Sequence, residues 1–213
     1  MIPILFIKHY RYGGSGPINE YIKKGIKFII YDKRIREIII VGLSVNLILG
    51  MAAIMFISLI DVTLELPAIY VSIMFCMLVF GVSIGSLIGQ RIKGSLGIIS
   101  ILLFIFIAIS FLLISFSGSA ILDILPIFFV GISIGMENVT INTALIGIIP
   151  LEMIARAQGA FNTFTVAATS ASSIIGGVLY KYSVSYSFMI LGIFMLIIAI
   201  LIKFMRNFYN IVY

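Results

Sequence analysis

An ionisable side chain lies inside a stretch of the chain that is apolar enough to cross a membrane. Glu137 falls near the middle of segment 121–149, and two amide side chains, Asn138 and Asn142, lie beside it. Placing a charged side chain at membrane depth costs about 2.5–3.5 kcal/mol on insertion scales, so such a residue has a partner, a water-filled cavity or a function. These residue types, in this position, predict the wall of a transport pathway.

Glu137 is open to two interpretations. In the first, it exchanges protons or contacts a cation in a cavity; in the second, it is neutral or hydrogen-bonded and joins two helices. Asn138 and Asn142 are four residues apart and share one helical face, which begins about a hundred degrees around the helix from Glu137. Each amide is expected to hydrogen-bond either a substrate or a neighbouring helix.

Polar and small residues recur at helical spacing in two other apolar segments. Asn46 lies near the middle of segment 37–60. In segment 160–180, small and polar residues step by three and four along one helical face. They are Asn162, Thr165, Thr169, Ser172 and Gly176. Such a stripe either lines a pathway or packs against another helix, because small residues let helices approach closely.

A further group of candidates lies towards the ends of apolar segments, where a cytoplasmic gate or a membrane anchor is expected. They are Gly85, Gly89, Arg91, Lys93, Glu152 and Arg156. Gly81, Gly85 and Gly89 recur every four residues, and this spacing favours a close helix crossing. Glu152 and Arg156 are four residues apart and would form a weak pair, worth about 0.2–0.5 kcal/mol, if their segment is helical.

The composition excludes several classes of protein. Hydrophobic residues make up 62% of the chain and charged residues 10%, whereas soluble domains carry about 25% charged residues. His9 is the single histidine, so histidine-based catalytic or metal sites are not expected, and the single Cys76 excludes a disulfide framework. The glycine-rich run 13–17 lacks the Lys-Ser/Thr of a phosphate-binding loop. We therefore predict no enzyme, no cofactor and no metal.

The order of the segments predicts an all-α membrane protein. Residues 1–17 are expected to be a flexible segment, 18–36 an amphipathic helix in the membrane interface, and 207–213 a cytoplasmic tail. The six-helix transmembrane bundle covers 37–206. Its spans are predicted at 37–60, 66–89, 95–117, 121–149, 160–180 and 185–205, each close to the length of about 20 residues that a bilayer requires.

The basic residues predict the orientation. With six spans, every Lys and Arg except Lys181 falls on one side of the membrane. The positive-inside rule places that side, and both termini, in the cytoplasm, in a multi-pass protein of the cell membrane. The net charge of +6 is thereby explained by basic residues that lie at the membrane surface. No nucleic-acid partner is predicted.

The polarity of the spans predicts an internal repeat. The third and sixth spans are the most lipid-like, whereas the other four are richer in small and polar residues. The spans thus form two triplets, and because the first span runs outward and the fourth inward, the triplets are inverted. An inverted arrangement of three plus three helices is typical of transporters.

Three stretches together resemble the C-terminal half of a major facilitator superfamily transporter, in the drug- and macrolide-efflux-like branch. GIKFIIYDKRIR (25–36) resembles the lead-in to the seventh helix, GSLIGQRIKG (85–94) the degenerate signature loop, and PLEMIARAQG (150–159) the loop between the tenth and eleventh helices. Gly89 stands where that signature loop carries an acidic residue, so no charge relay is implied there.

The resemblance implies half of a secondary active transporter that works by alternating access. We expect an efflux-type permease with a small-molecule substrate, coupled to protons or cations through Glu137. Its partners would be the lipid bilayer and a second six-helix half, either a copy of this chain or a separate one. The alternative is a non-transporting membrane subunit or a truncated remnant of such a transporter.

Overall fold

The computed structural model describes residues 32–150, 153–179 and 183–212. Within these ranges the chain is helical and contains no strand beyond one isolated bridge pair. Six long helices follow one another: α1 (Lys33–Ser58), which continues into a π-helical turn (Leu59–Thr63), α2 (Ile69–Gly89), α3 (Leu96–Ser117), α4 (Ala120–Ile148), α5 (Ile154–Leu179) and α6 (Val184–Ile202). A short helix, α7 (Arg206–Tyr209), follows. The predicted flexible segment 1–17 and residues 18–31 of the predicted interfacial helix lie outside the described residues.

Five of the described helices are long and apolar enough to cross a membrane: α1 with its π turn, α2, α3, α4 and α6. The remaining long helix, α5, has a comparable length but carries the polar stripe that begins at Asn162. An all-helical membrane protein is therefore confirmed, while the count of six spans, with α5 as the fifth, stays a prediction.

Two helices begin earlier than the sequence predicted. The α1 helix begins at Lys33, four residues before the predicted start of the first span, because the Asp32 carboxylate caps it by accepting a hydrogen bond from the Arg34 backbone N–H (2.9 Å). The α5 helix begins at Ile154, six residues before its predicted start. Three alanines between Ile154 and Phe161, which are strong helix formers, explain the extension into a stretch predicted as a loop.

The helices pair in a regular pattern. The α1 helix packs on α5, α2 packs on α4, and α3 packs on both α6 and α4. Three aromatic rings join α1, α3 and α6 at the centre of the bundle: Phe56, Phe111 and Phe188, with ring centroids 5.1–6.5 Å apart. On the other side of α3, Phe106 and Phe116 are exposed, as expected for a helix that faces lipid.

A contact lined by glycines brings α2 and α4 unusually close. A Cβ atom added to Gly81 or Gly85 would overlap main-chain atoms of α4, and one added to Gly131 or Gly135 would overlap main-chain atoms of α2. A Cβ on Gly131, for example, would lie 3.1 Å from the Cα of Gly81. Glycine at these positions removes the side chains that would otherwise keep the two helices apart.

The residues after α6 fold back onto the bundle instead of leaving it. Phe208 is fully buried, and the Leu96 N–H donates to the Ile211 carbonyl (2.8 Å). The Ser95 hydroxyl donates to the Tyr209 carbonyl. This segment, 203–212, lies against the first turns of α1 and α3. We call this end of the bundle the basic end. The docking was not predicted from the sequence, which indicated a cytoplasmic tail at 207–213. The basic residues of that end whose side chains the structure describes are Lys33, Arg34, Arg36, Arg91, Lys93, Lys203 and Arg206.

Candidate functional site

Glu137 lies in the contact between α4 and α3. Its side chain is 2% exposed, and the fully buried Ser100 hydroxyl on α3 lies 2.8 Å from Oε1 and 3.1 Å from Oε2. The Thr140 hydroxyl donates to the Glu137 backbone carbonyl (3.0 Å) and so makes no bond to the carboxyl group. In this conformation Glu137 therefore joins two helices and faces protein instead of lipid.

The environment of Glu137 makes a charge at this position costly. Water surrounds an ionised carboxylate with several donors, and its two oxygens offer about four acceptor positions. Among the described residues, the single hydroxyl of Ser100 is the side-chain donor within reach. A carboxylate with so few donors in an apolar contact pays a large desolvation penalty.

The two asparagines predicted beside Glu137 lie on another side of α4. Asn138 is exposed, Asn142 is half-buried, and the Asn142 amide donates to the Asn138 carbonyl (2.7 Å). Asn142 also accepts a hydrogen bond from the Gln158 side chain of α5 (3.0 Å). This amide bridge connects α4 to α5.

Two further amide side chains lie one helical turn from the bridge, one on each helix. Gln158 and the exposed Asn162 are four residues apart on α5, as Asn138 and Asn142 are on α4. The two helices run in opposite directions because a short connection joins them. Asn138 and Asn162 each lie one helical turn from the bridge, on the side away from that connection, so they lie at a similar depth along the bundle. We call Asn138, Asn142, Gln158 and Asn162 the amide cluster.

Gln158 was missed because the sequence analysis assigned it to a loop. The signal was its spacing of four residues from Asn162, which becomes meaningful only if α5 begins as early as Ile154.

The rest of the α5 stripe packs against α1. Thr165 is 8% exposed, and its hydroxyl donates to the Asn162 carbonyl (3.0 Å). The Thr169 hydroxyl lies 3.4 Å from the Asn46 side-chain oxygen, and the Asn46 amide donates to the Gly42 carbonyl (2.8 Å). The structure thus brings Asn46 and Thr169 together on the α1–α5 contact and leaves Asn162 at the exposed end of the stripe.

The candidates for a cytoplasmic gate are distributed around the basic end. Gly85 lies in the α2–α4 crossing, and Gly89 faces Met136 at the end of the same contact. Arg91 and Lys93 are exposed in the turn after α2. Glu152 and the side chain of Arg156 lie outside the described part of the chain, so their pairing and the gating role of the group stay predictions.

A second buried carboxyl group lies on α4. Asp123 is fully buried near the start of the helix, and one of its oxygens accepts a hydrogen bond from the Ser117 hydroxyl. Asp123 was not one of the candidate site residues predicted from the sequence. Asp123 and Glu137 are 14 residues, or about four helical turns, apart, and this spacing was the signal that both side chains lie on one side of α4. Each of the two carboxyl groups accepts a hydrogen bond from a serine of α3.

The comparisons with known proteins agree with this architecture. The sequence profile of the Major Facilitator Superfamily matches residues 7–172. The chain therefore belongs to the major facilitator superfamily, whose members are transporters and not enzymes, and with its apolar helices it is a multi-pass membrane protein. The predicted family is confirmed. No curated relative matches the chain.

Proposed function

We propose that this chain forms one half of an efflux-type secondary transporter, which moves a small molecule by alternating access and is driven by protons. The proposal depends mainly on one observation: α4 presents Asn138 of the amide cluster on an exposed side and buries Glu137 on the side that faces α3. A single helix thereby connects a polar, accessible surface with a carboxyl group whose charge would disturb the packing.

The amide cluster is the proposed substrate surface. Amide side chains both donate and accept hydrogen bonds, so they suit a neutral or weakly polar molecule better than a strongly charged one. Asn138 and Asn162 are exposed and available to a substrate, whereas Asn142 and Gln158 bind each other. Breaking and forming that bridge would change the separation of α4 and α5 at the basic end.

Glu137 is the proposed coupling residue. When it carries a proton, its carboxyl group fits between α3 and α4 with Ser100 as partner. When it loses the proton, the uncompensated charge favours a different arrangement of the two helices, because buried charges without sufficient donors are strongly disfavoured. A proton gradient would then bias the two states, as alternating access requires.

The helix pairing supports the predicted inverted repeat of three plus three spans. If α1, α2 and α3 are exchanged with α4, α5 and α6, the α1–α5 contact becomes the α4–α2 contact, and the α3–α6 contact becomes itself. Such a symmetric pattern favours six spans, with α5 as the fifth. The positive-inside rule then places the basic end in the cytoplasm.

A second six-helix unit is the proposed partner. It would cover the amide cluster and complete the substrate pathway between two halves. Measuring the mass of the purified chain in mild detergent tests this part: a dimer, or a complex with another six-span chain, is expected. A stable monomer that transports nothing would instead favour a non-transporting subunit or a remnant.

The coupling is tested by transport in reconstituted vesicles. A panel of fluorescent apolar dyes is offered under an imposed pH gradient, and the wild-type chain is compared with Glu137→Gln, which preserves shape and hydrogen bonding but cannot ionise. The variant is expected to lose gradient-driven transport while keeping dye exchange without a gradient. Full gradient-driven transport by Glu137→Gln would remove the coupling role.

A further inference from the structure

The docked C-terminal segment forms one wall of an open cavity at the basic end that the transport proposal does not use. The cavity has a volume of about 390 Å³ and lies between the first turn of α1, the end of α4 and residues 206–212. Arg34, Arg206, Asn207 and Asn210 line its polar side, and Ile148 and Val212 line its apolar side.

The charged groups around the cavity leave positive charge directed into it. Arg34 is held by Asp32, with its Nη2 atom 3.2 Å and its Nε atom 3.4 Å from the carboxylate oxygens. Asp32 is partly desolvated, which opposes ionisation, but the hydrogen bonds and the charge of Arg34 prevail and lower the pKa of its carboxyl group. More than half of the Arg34 side chain remains exposed.

The other nearby carboxylate, Glu37, is turned towards the C-terminal segment. It accepts hydrogen bonds from the Asn207 side chain (2.6 Å) and from the Phe208 backbone N–H (2.7 Å). The pair formed by Arg34 and Asp32 is the single ion pair found within the described ranges, so Arg206 faces the cavity without a described counter-ion. Arg206 and the Asn210 amide are therefore the donors best placed to receive an anion.

We propose that this cavity binds the phosphate of an anionic phospholipid headgroup. The planar guanidinium of arginine matches the geometry of phosphate oxygens and binds them through paired hydrogen bonds. Basic pockets among the cytoplasmic ends of transmembrane helices are suited to such headgroups. Asn210 would add a neutral donor beside the two arginines.

A lipid fits the cavity better than free phosphate because the polar side adjoins exposed apolar residues. Val212, on the rim, is 75% exposed, and Ile148, which also lines the cavity, is half-buried. Such side chains gain stability beside acyl chains rather than water. The bound headgroup would hold the start of α1, the end of α4 and the C-terminal segment together, so it is expected to stabilise the basic end.

The test measures lipid binding to the full chain purified in detergent, independently of transport. Thermal unfolding is followed by circular dichroism during titration with phosphatidylglycerol, with phosphatidylcholine, or with inorganic phosphate. Phosphatidylglycerol is expected to raise the unfolding temperature, while the other two are not. Arg206→Gln should weaken the effect of phosphatidylglycerol about tenfold, as expected for loss of a charged hydrogen-bonding group, and Asn210→Ala should weaken it less.

Arg91→Gln is the matched control, because Arg91 is exposed at the same end of the bundle but does not line the cavity. It should leave the effect of phosphatidylglycerol within about twofold of the wild type, as expected for the loss of one screened surface charge. Equal losses in Arg91→Gln and Arg206→Gln would show diffuse attraction and overturn the proposal. An equal effect of phosphatidylcholine, or of inorganic phosphate, would also overturn it.

Discussion

Replacing Gly85 with alanine should push α2 and α4 apart. The added Cβ would lie 2.8 Å from both the Cα and the carbonyl carbon of Ile132, and closer still to its carbonyl oxygen. Ordinary contacts between such atoms begin at about 3.5 Å, and the atoms in the way belong to the main chain, so no rotamer change can relieve the overlap. The helices must separate along the whole glycine-lined contact.

The cost of this separation is expected to be about 1–3 kcal/mol, the usual range for overpacking a well-packed contact. Close packing matters here because helices in a membrane are held together by van der Waals contacts rather than by the hydrophobic effect. Gly147→Ala, on α4, is the matched control: nothing lies within 4 Å of its added Cβ. Because alanine is the better helix former, this control should be neutral or stabilising by up to about 1 kcal/mol.

Thermal unfolding of the two variants in the same detergent, followed by the helical circular dichroism signal, measures the difference. Gly85→Ala should unfold several degrees below the wild type and Gly147→Ala at or above it. Equal unfolding temperatures for Gly85→Ala and the wild type would refute the close crossing of α2 and α4. A loss confined to Gly147→Ala would refute it as well.

Three further predictions concern side chains that connect separate parts of the bundle. Ser100→Ala removes the donor to Glu137 and should lower the free energy of unfolding by about 1–3 kcal/mol. Ser110→Ala should cost less, because the Ser110 hydroxyl donates to the Phe106 carbonyl within the same helix (2.9 Å). If chemical denaturation gave the larger loss for Ser110→Ala, the contact between Ser100 and Glu137 would be contradicted. Gln158→Ala breaks the amide bridge and should cost about 0.5–1.5 kcal/mol, against a smaller effect for Thr163→Ala, which loses only a bond within α5. Phe208→Ala should undock the C-terminal segment at a cost of about 3–5 kcal/mol and expose it to proteolysis, whereas Phe204→Ala, at an exposed site, should leave cleavage unchanged.

The helical membrane architecture could be predicted because apolar length and loop charge are local properties of the sequence. The segments 66–89 and 95–117 correspond closely to α2 and α3. The start of α5 could not be placed as well, because Pro150 and Gly159 suggested a loop where the alanines between them sustain a helix. The helix propensity of the neighbouring alanines outweighed the helix-breaking tendency of these single residues.

The candidate site was predictable only in part, because partners depend on how distant segments pack. The unusual position of Glu137 was visible in the sequence, but Ser100 was one of several serines in an apolar span and carried no signal of its own. The stripe on α5 was recognised, yet its division into an exposed Asn162 and a buried Thr165 depends on the placement of α1. The docking of Phe208 likewise follows from Glu37, far away in the chain, which binds the backbone of the short α7.

The central claim is that the exposed amide side of α4 borders a water-filled pathway, whereas its exposed aromatic side faces lipid. Asn138→Cys and Phe129→Cys, each in a Cys76→Ser background, place a thiol on the two exposed sides of the same helix. A thiol reacts with a charged maleimide only as the thiolate, which requires water. In lipid vesicles with reagent on both sides, Asn138→Cys should react at least about tenfold faster than Phe129→Cys; an unreactive Asn138→Cys, or equal rates at the two positions, would contradict the account.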